Sequence, residues 1–287
     1  MIQIMNNQKI LITAKDLHNN SNKNHVLIDT RFSLFDSTAG QVEYNNGHLP
    51  GAIYADLDND LSGNLDQNSG RHPLPNINDL AQCFRNWGIS NNSHIVVYDT
   101  NNSAIAARLW WLLKWAGHED VCILDGGLDS WRRENYELET SLPKVVPGNF
   151  QPAGILKKTW NSQLIENWLQ NDISFILLDA REKSRFDGTN EPIDKISGHI
   201  PKSINVPFTS FLRSNGCWKD KDDIIDIWNK HNIDITDMTE WGALCGSGVT
   251  ACHLIASAVI AGLPEPILYP GSWSEWISNS SRPIAND

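Results

Sequence analysis

Apolar positions along this chain fall into two kinds of run. Short ones, such as HIVVYD ending at Asp99 and FILLDA starting at Phe175, have the length and continuity of strands buried in a parallel sheet. Longer ones, AIAARLWWLLKWA (Ala104 to Ala116) and VTACHLIASAVIA (Val249 to Ala261), have the length of helices. Gly117 and Gly262 follow them, where helix C-terminal glycines belong. Strand, loop and helix in this alternation predict an α/β fold, with parallel sheets carrying helices on both faces.

The pattern occurs twice. VLIDTRF (Val26 to Phe32) matches FILLDAR (Phe175 to Arg181), and HLPGAIYADL from His48 matches HIPKSINVPF from His199. HIVVYD matches WGALC, which ends at Cys245, and LDGGLDSW, ending at Trp131, matches YPGSWSEW, ending at Trp276. The order is the same and the intervals differ by only a few residues, with a period too long for a solenoid. A duplicated domain is expected, with residues 1–145 and 155–287 as its copies and the Pro/Gly-bearing stretch Leu142 to Gly154 between them.

Composition narrows the function. At 287 residues, 40% hydrophobic and 20% charged, the chain suits two globular domains. A formal net charge of -11 argues against nucleic acid and anionic membranes as partners, and an anionic substrate would need a local basic pocket. No apolar run approaches the roughly 20 residues of a membrane span. Five scattered cysteines without a CxxC pair argue against a disulfide framework and against a metal site, and no cofactor motif is evident. The opening MIQIMNNQKILITAKDL lacks the layout of a signal peptide, so a cytoplasmic setting is expected, where a free thiol can work.

Chemistry concentrates in the loop CGSGVTAC. Cys245 ends a predicted strand and precedes a predicted helix, and in open α/β sheets ligands bind beyond the carboxyl ends of strands. Gly246 and Gly248 allow a tight turn whose N–H groups form an anion nest, and the helix adds its positive end. Such a setting favours the thiolate, the form that attacks sulfur. The alternative is a packed cysteine before an ordinary glycine turn.

The string CGSGVTA resembles the active-site loop of mercaptopyruvate sulfurtransferases, within the rhodanese superfamily. HLPGA, HIPKSINVPF, LDGG and GSWSEW resemble the superfamily's structural signatures, from about Leu27 to Pro283. The resemblance implies two tandem rhodanese-like domains, each a parallel sheet flanked by helices, with a silent first copy in which Asp99 stands where the second has Cys245. It implies that Cys245 takes sulfur from a small-molecule donor as a persulfide and passes it to cyanide or to a thiol such as thioredoxin or glutathione. Ser247, His72 (in GRHPLP) and Asp56 (in GAIYADL) are implied as the relay that protonates the enolate left by mercaptopyruvate. Arg185, in SRFDG, is implied as the ligand of the donor's carboxylate, with Gly246, Gly248, Val249 and Thr250 lining the loop around it.

One position departs from that pattern. Mercaptopyruvate enzymes carry a second arginine nine residues after the first; here Asp194 stands there, with Lys195 beside it as the replacement cation. An acid at this point resembles thiosulfate-using rhodaneses, whose loops nevertheless carry basic residues that CGSGVTAC lacks. The resemblance therefore favours 3-mercaptopyruvate as donor and leaves thiosulfate as the alternative. A non-enzymatic rhodanese-like sulfur carrier or binding module is a third reading. A phosphatase would need an arginine within the loop, which is absent. For single residues the competing roles are a solvated loop histidine at His72, a turn cap at Asp56 and a surface ion pair at Arg185. His48 and His199, equivalent in both copies, are expected to be structural.

Overall fold

The computed structural model describes residues 9–20, 25–100, 102–171, 175–231 and 240–286. Strands β1 (Leu11–Ile12), β2 (His25–Asp29), β3 (Ile53–Tyr54), β4 (His94–Tyr98) and β5 (Val121–Leu124) form one sheet in the order β1-β5-β4-β2-β3. Strands β6 (Phe175–Asp179), β7 (Ile204–Asn205), β8 (Glu240–Leu244) and β9 (Ile267–Leu268) form a second in the order β7-β6-β8-β9. Every pairing is parallel. Counted from β3 and from β7 the two orders coincide, so the sequence repeat is a repeat in space. The counterpart of β1 in the second sheet is a single parallel bridge between Thr159 and Leu268.

The repeated strings have physical work in common. Asp29 and Asp179 end their strands and pair with the arginine two residues on, Asp29–Arg31 and Asp179–Arg181, each at 2.7 Å and out of solvent. Each guanidinium also donates to a glycine carbonyl, Gly47 or Gly198, at 2.8 Å, so the buried charge keeps its hydrogen bonds. His48 and His199 stack on Tyr44 and Phe186, with ring centroids 4.0 and 3.8 Å apart, and place Nδ1 against those residues' carbonyls. Both histidines are fixed inside their own domain, away from the cysteine loop.

Counting α-helices along the described chain, the fourth and ninth, α4 (Ala104–Trp115) and α9 (Thr250–Ala261), follow the central strands β4 and β8 and pack against each other. Each lies between its own sheet and the other helix, which is why both are apolar nearly all round. Their contact joins residues of both halves in a shared apolar core and brings the loops after β4 and β8 onto a shared cavity. Residues 142–154 form no helix or strand, yet they are not a free tether. Gly148, Phe150 and Ala153 donate N–H bonds to Arg85, Ile89 and Ala116 carbonyls, and the Phe150 ring is buried in the shared core. No helix among the described residues is long and apolar enough to cross a membrane.

Candidate active site

Cys245 directly follows β8, a strand flanked on both sides, and is 2% exposed. The chain must turn at once into α9, and Gly248 makes the turn at φ 77°. A Cβ at Gly248 would lie 2.5 Å from the Pro270 carbonyl oxygen, so only glycine fits. The Cys245 N–H donates to Ser272 Oγ at 3.0 Å, and that hydroxyl donates onward to the Tyr269 carbonyl at 2.9 Å. Ser272 sits at φ 54°, a left-handed conformation that the first domain gives to Gly127, at φ 55°. A side chain in that region costs about 1–2 kcal/mol, here offset by the hold on the nucleophile's backbone. Ser272→Ala keeps the strain and strands the buried Cys245 N–H, with an expected loss of about 1–3 kcal/mol in chemical denaturation. Ser272→Gly, which relaxes the strain, should lose less.

Ser247 meets a histidine from the other domain. Its Oγ lies 2.7 Å from His72 Nδ1, and His72 Nε2 lies 3.2 Å from Asp58 Oδ1. The expected acid was Asp56, and here the structure differs. The Asp56 carboxylate accepts N–H bonds from Asp58 and Asn59 at 3.0 and 2.9 Å, the turn-capping role, and that turn presents Asp58 to the imidazole. Burial foremost, then the charges of Arg108 and Arg71, pushes His72 down to about 3, so the ring is neutral at neutral pH. Burial and the adjacent Asp56 raise the Asp58 carboxyl. Beneath the pair lies Arg108 of α4, wholly buried, donating to the carbonyls of Gly248 and His72, both at 3.2 Å. One guanidinium thus ties the cysteine loop of one domain to the histidine loop of the other.

Arg185 lies at the loop as expected, but its neighbours are not those expected. Its Nε donates to both Glu191 oxygens at 3.0 Å and its Nη2 to Asp194 Oδ2 at 2.9 Å. The other Asp194 oxygen accepts from Nη1 of Arg71, the residue before His72. Lys195 is exposed and does not line the cavity, so it does not replace a missing arginine. A Cβ built on Gly246 would lie 2.9 Å from Arg71 Nη2 and 3.3 Å from Arg185 Nη2, which places both cations over the residue next to the nucleophile.

These groups surround a cavity of about 450 Å³ between the domains, reached by Cys245, Ser247, His72, Arg71 and Arg185. Val249 and Thr250 also line it, whereas Gly248 serves as the turn and carbonyl acceptor behind it. At the corresponding place in the first domain the Asp99 carboxylate accepts from the N–H groups of Ser103, Ile105 and Ala106, each at 2.9 Å. The start of α4 is therefore filled by the chain's own anion. The sequence alone does not single out Asp58, Arg71 and Arg108. For Arg71 a signal existed, a basic residue beside His72 to answer the unexpected acid at 194.

The "Rhodanese-like domain" family model matches residues 13–134 and 161–279. A Pseudomonas aeruginosa protein named "Probable 3-mercaptopyruvate sulfurtransferase" is 40% identical over 283 residues, covering 96% of this chain and 97% of that one. The thiosulfate sulfurtransferase of Rattus norvegicus is 34% identical over 246 residues, 82% of this chain and 78% of that one. The crystal structure of SseA from Escherichia coli, described among 3-mercaptopyruvate sulfotransferases, aligns with a TM-score of 0.81 at 29% identity, covering 93% of this chain and 99% of that one. With both of its halves matched by that family model, this chain belongs to the rhodanese family.

Proposed function

We propose that the protein is a sulfurtransferase that moves sulfur from 3-mercaptopyruvate, through a Cys245 persulfide, to a thiol or cyanide. The observation that carries the donor is the Ser247–His72 contact at 2.7 Å beside the nucleophile. The Cys245 thiolate attacks the donor's sulfur. An S–S bond forms, the C–S bond breaks, and its electron pair goes to carbon as the enolate of pyruvate. Ser247 gives a proton to the enolate and regains one along His72 from the Asp58 side, where the carboxylate is 45% exposed to solvent. An acceptor then attacks the outer sulfur, and Cys245 leaves as thiolate. Arg185 binds the donor's carboxylate.

Thiosulfate needs no such relay, because its leaving group is sulfite, which is stable as an anion. The basic groups at the end of the cavity nevertheless suit an inorganic dianion, and that favours thiosulfate as the second reading. Steady-state comparison of the two donors separates them, with kcat/KM expected at least about 10-fold higher for 3-mercaptopyruvate, a difference of about 1.4 kcal/mol in transition-state binding. A preference for thiosulfate would overturn the donor assignment. The Asp99 carboxylate at the start of α4 supports a first domain that performs no chemistry and serves as a wall of the site. The five free thiols support a reducing, cytoplasmic setting, with a thiol such as thioredoxin or glutathione as acceptor.

A further inference from the structure

We propose that Arg71, from the non-catalytic domain, is the second half of a carboxylate clamp whose first half is Arg185, so that the donor's acid group is held by one guanidinium from each domain. This rests on the donor reading above and adds the residue that selects a carboxylate. Both guanidiniums converge over Gly246, within 2.9 and 3.3 Å of where its Cβ would be. Asp194, with a side chain only 4% exposed, holds one edge of each: Arg71 Nη1 on one oxygen and Arg185 Nη2 on the other. Glu191 holds Arg185 Nε. Arg185 Nη1 and Arg71 Nη2 are engaged by none of these carboxylates, and Arg71 Nε is buried without a hydrogen-bond partner among the described residues. Two forks fixed from behind by the same carboxylate, with donors left over at the cavity, are arranged to take a further carboxylate in front.

The position of Arg71 is built rather than accidental. Its N–H donates to Ser274 Oγ at 3.0 Å, and the Ser274 N–H donates to the Gly246 carbonyl at 2.9 Å. Gly70 packs so closely that a Cβ there would lie 2.5 Å from the Gly271 carbonyl oxygen. The histidine loop is thereby docked on the catalytic domain through its backbone, which an Arg71 side-chain substitution leaves in place. The acid at 194 and the arginine at 71 also answer each other. Where an arginine at 194 would supply the second cation from within the catalytic domain, Asp194 instead positions a cation supplied from outside it.

The test uses two alkylating reagents that differ in a carboxylate against an amide. The rates at which iodoacetate and iodoacetamide modify Cys245 are measured in the parent, Arg71→Ala, Arg71→Lys and Arg185→Ala. The iodoacetate-to-iodoacetamide rate ratio is expected to fall about 30-fold in Arg71→Ala and in Arg185→Ala, with Arg71→Lys between, as for loss of a charge-assisted hydrogen-bonded pair. KM for 3-mercaptopyruvate should rise by a similar factor, and kcat should change less. A ratio within about twofold of the parent in Arg71→Ala, while Arg185→Ala lowers it, would overturn the clamp and leave the proposed function standing. An equal fall for both reagents also keeps the ratio constant and would assign Arg71 to holding the His72 loop instead, which overturns the clamp. Failure of the parent to take sulfur from 3-mercaptopyruvate would remove the donor, and the alkylation ratio would still report on the clamp.

Discussion

Cys245→Ser is expected to abolish sulfur transfer from either donor, leaving a rate at least about 10,000-fold below the parent. A serine hydroxyl is protonated at neutral pH and cannot carry sulfane sulfur, and among the described residues no other thiol lines the cavity. Cys252, seven residues on, provides the control. It is fully buried in α9, its Sγ lies 3.4 Å from the Gly248 carbonyl, and burial pushes its thiol up to about 12. Cys252→Ser is therefore expected to retain transfer, because that thiol is neither accessible nor ionised. Steady-state assays of both variants with saturating cyanide make the comparison.

The second large effect falls on the relay. His72→Ala and Ser247→Ala are each expected to lower kcat with 3-mercaptopyruvate by about 100- to 1,000-fold, with a much smaller loss for thiosulfate, whose departure requires no proton. Asp58→Asn should cost about 10-fold, because the proton path then loses its solvent end. Asp56→Asn should leave kcat closer to the parent, since Asp56 caps the turn and does not face the imidazole. The pH dependence follows from the neutral ring. With its value pushed down to about 3, His72 is deprotonated throughout the neutral range, so the ratio of parent to His72→Ala rates is expected to stay constant from about pH 6 to 9. That ratio is expected to change only as pH falls toward 3, where the ring takes a second proton. Equal losses for both donors in His72→Ala would contradict the relay.

What is legible in the sequence depends on the range of the interactions. The strands around Asp99 and Phe175 and the helices after the two loops are local patterns, and they stand where the periodicity put them. The place of Cys245 between strand and helix is legible for the same reason, because strand, glycine turn and helix are contiguous in sequence. Asp58 was not, because ADLDND offers Asp56, Asp58 and Asp60 in a segment without strand or helix. Which of them reaches His72 is settled by the turn that Asp56 closes on itself. Lys195 failed for the converse reason: adjacency in sequence to Asp194 says nothing of direction, and Lys195 points to solvent while Asp194 is enclosed between two arginines. Arg71 and Arg108 act across the domain junction, at separations of 123 and 140 residues from their partners. No periodicity within either half encodes that contact.

The claim that Cys245 carries sulfur between donor and acceptor is tested most directly by a single turnover without acceptor. The protein is mixed with 3-mercaptopyruvate, pyruvate is quantified, and the peptide containing Cys245 is weighed by mass spectrometry. The predicted result is one equivalent of pyruvate and a mass gain of one sulfur atom on Cys245, removed on adding cyanide or a small thiol. Pyruvate release without that gain, or sulfur held on a different cysteine, would contradict it.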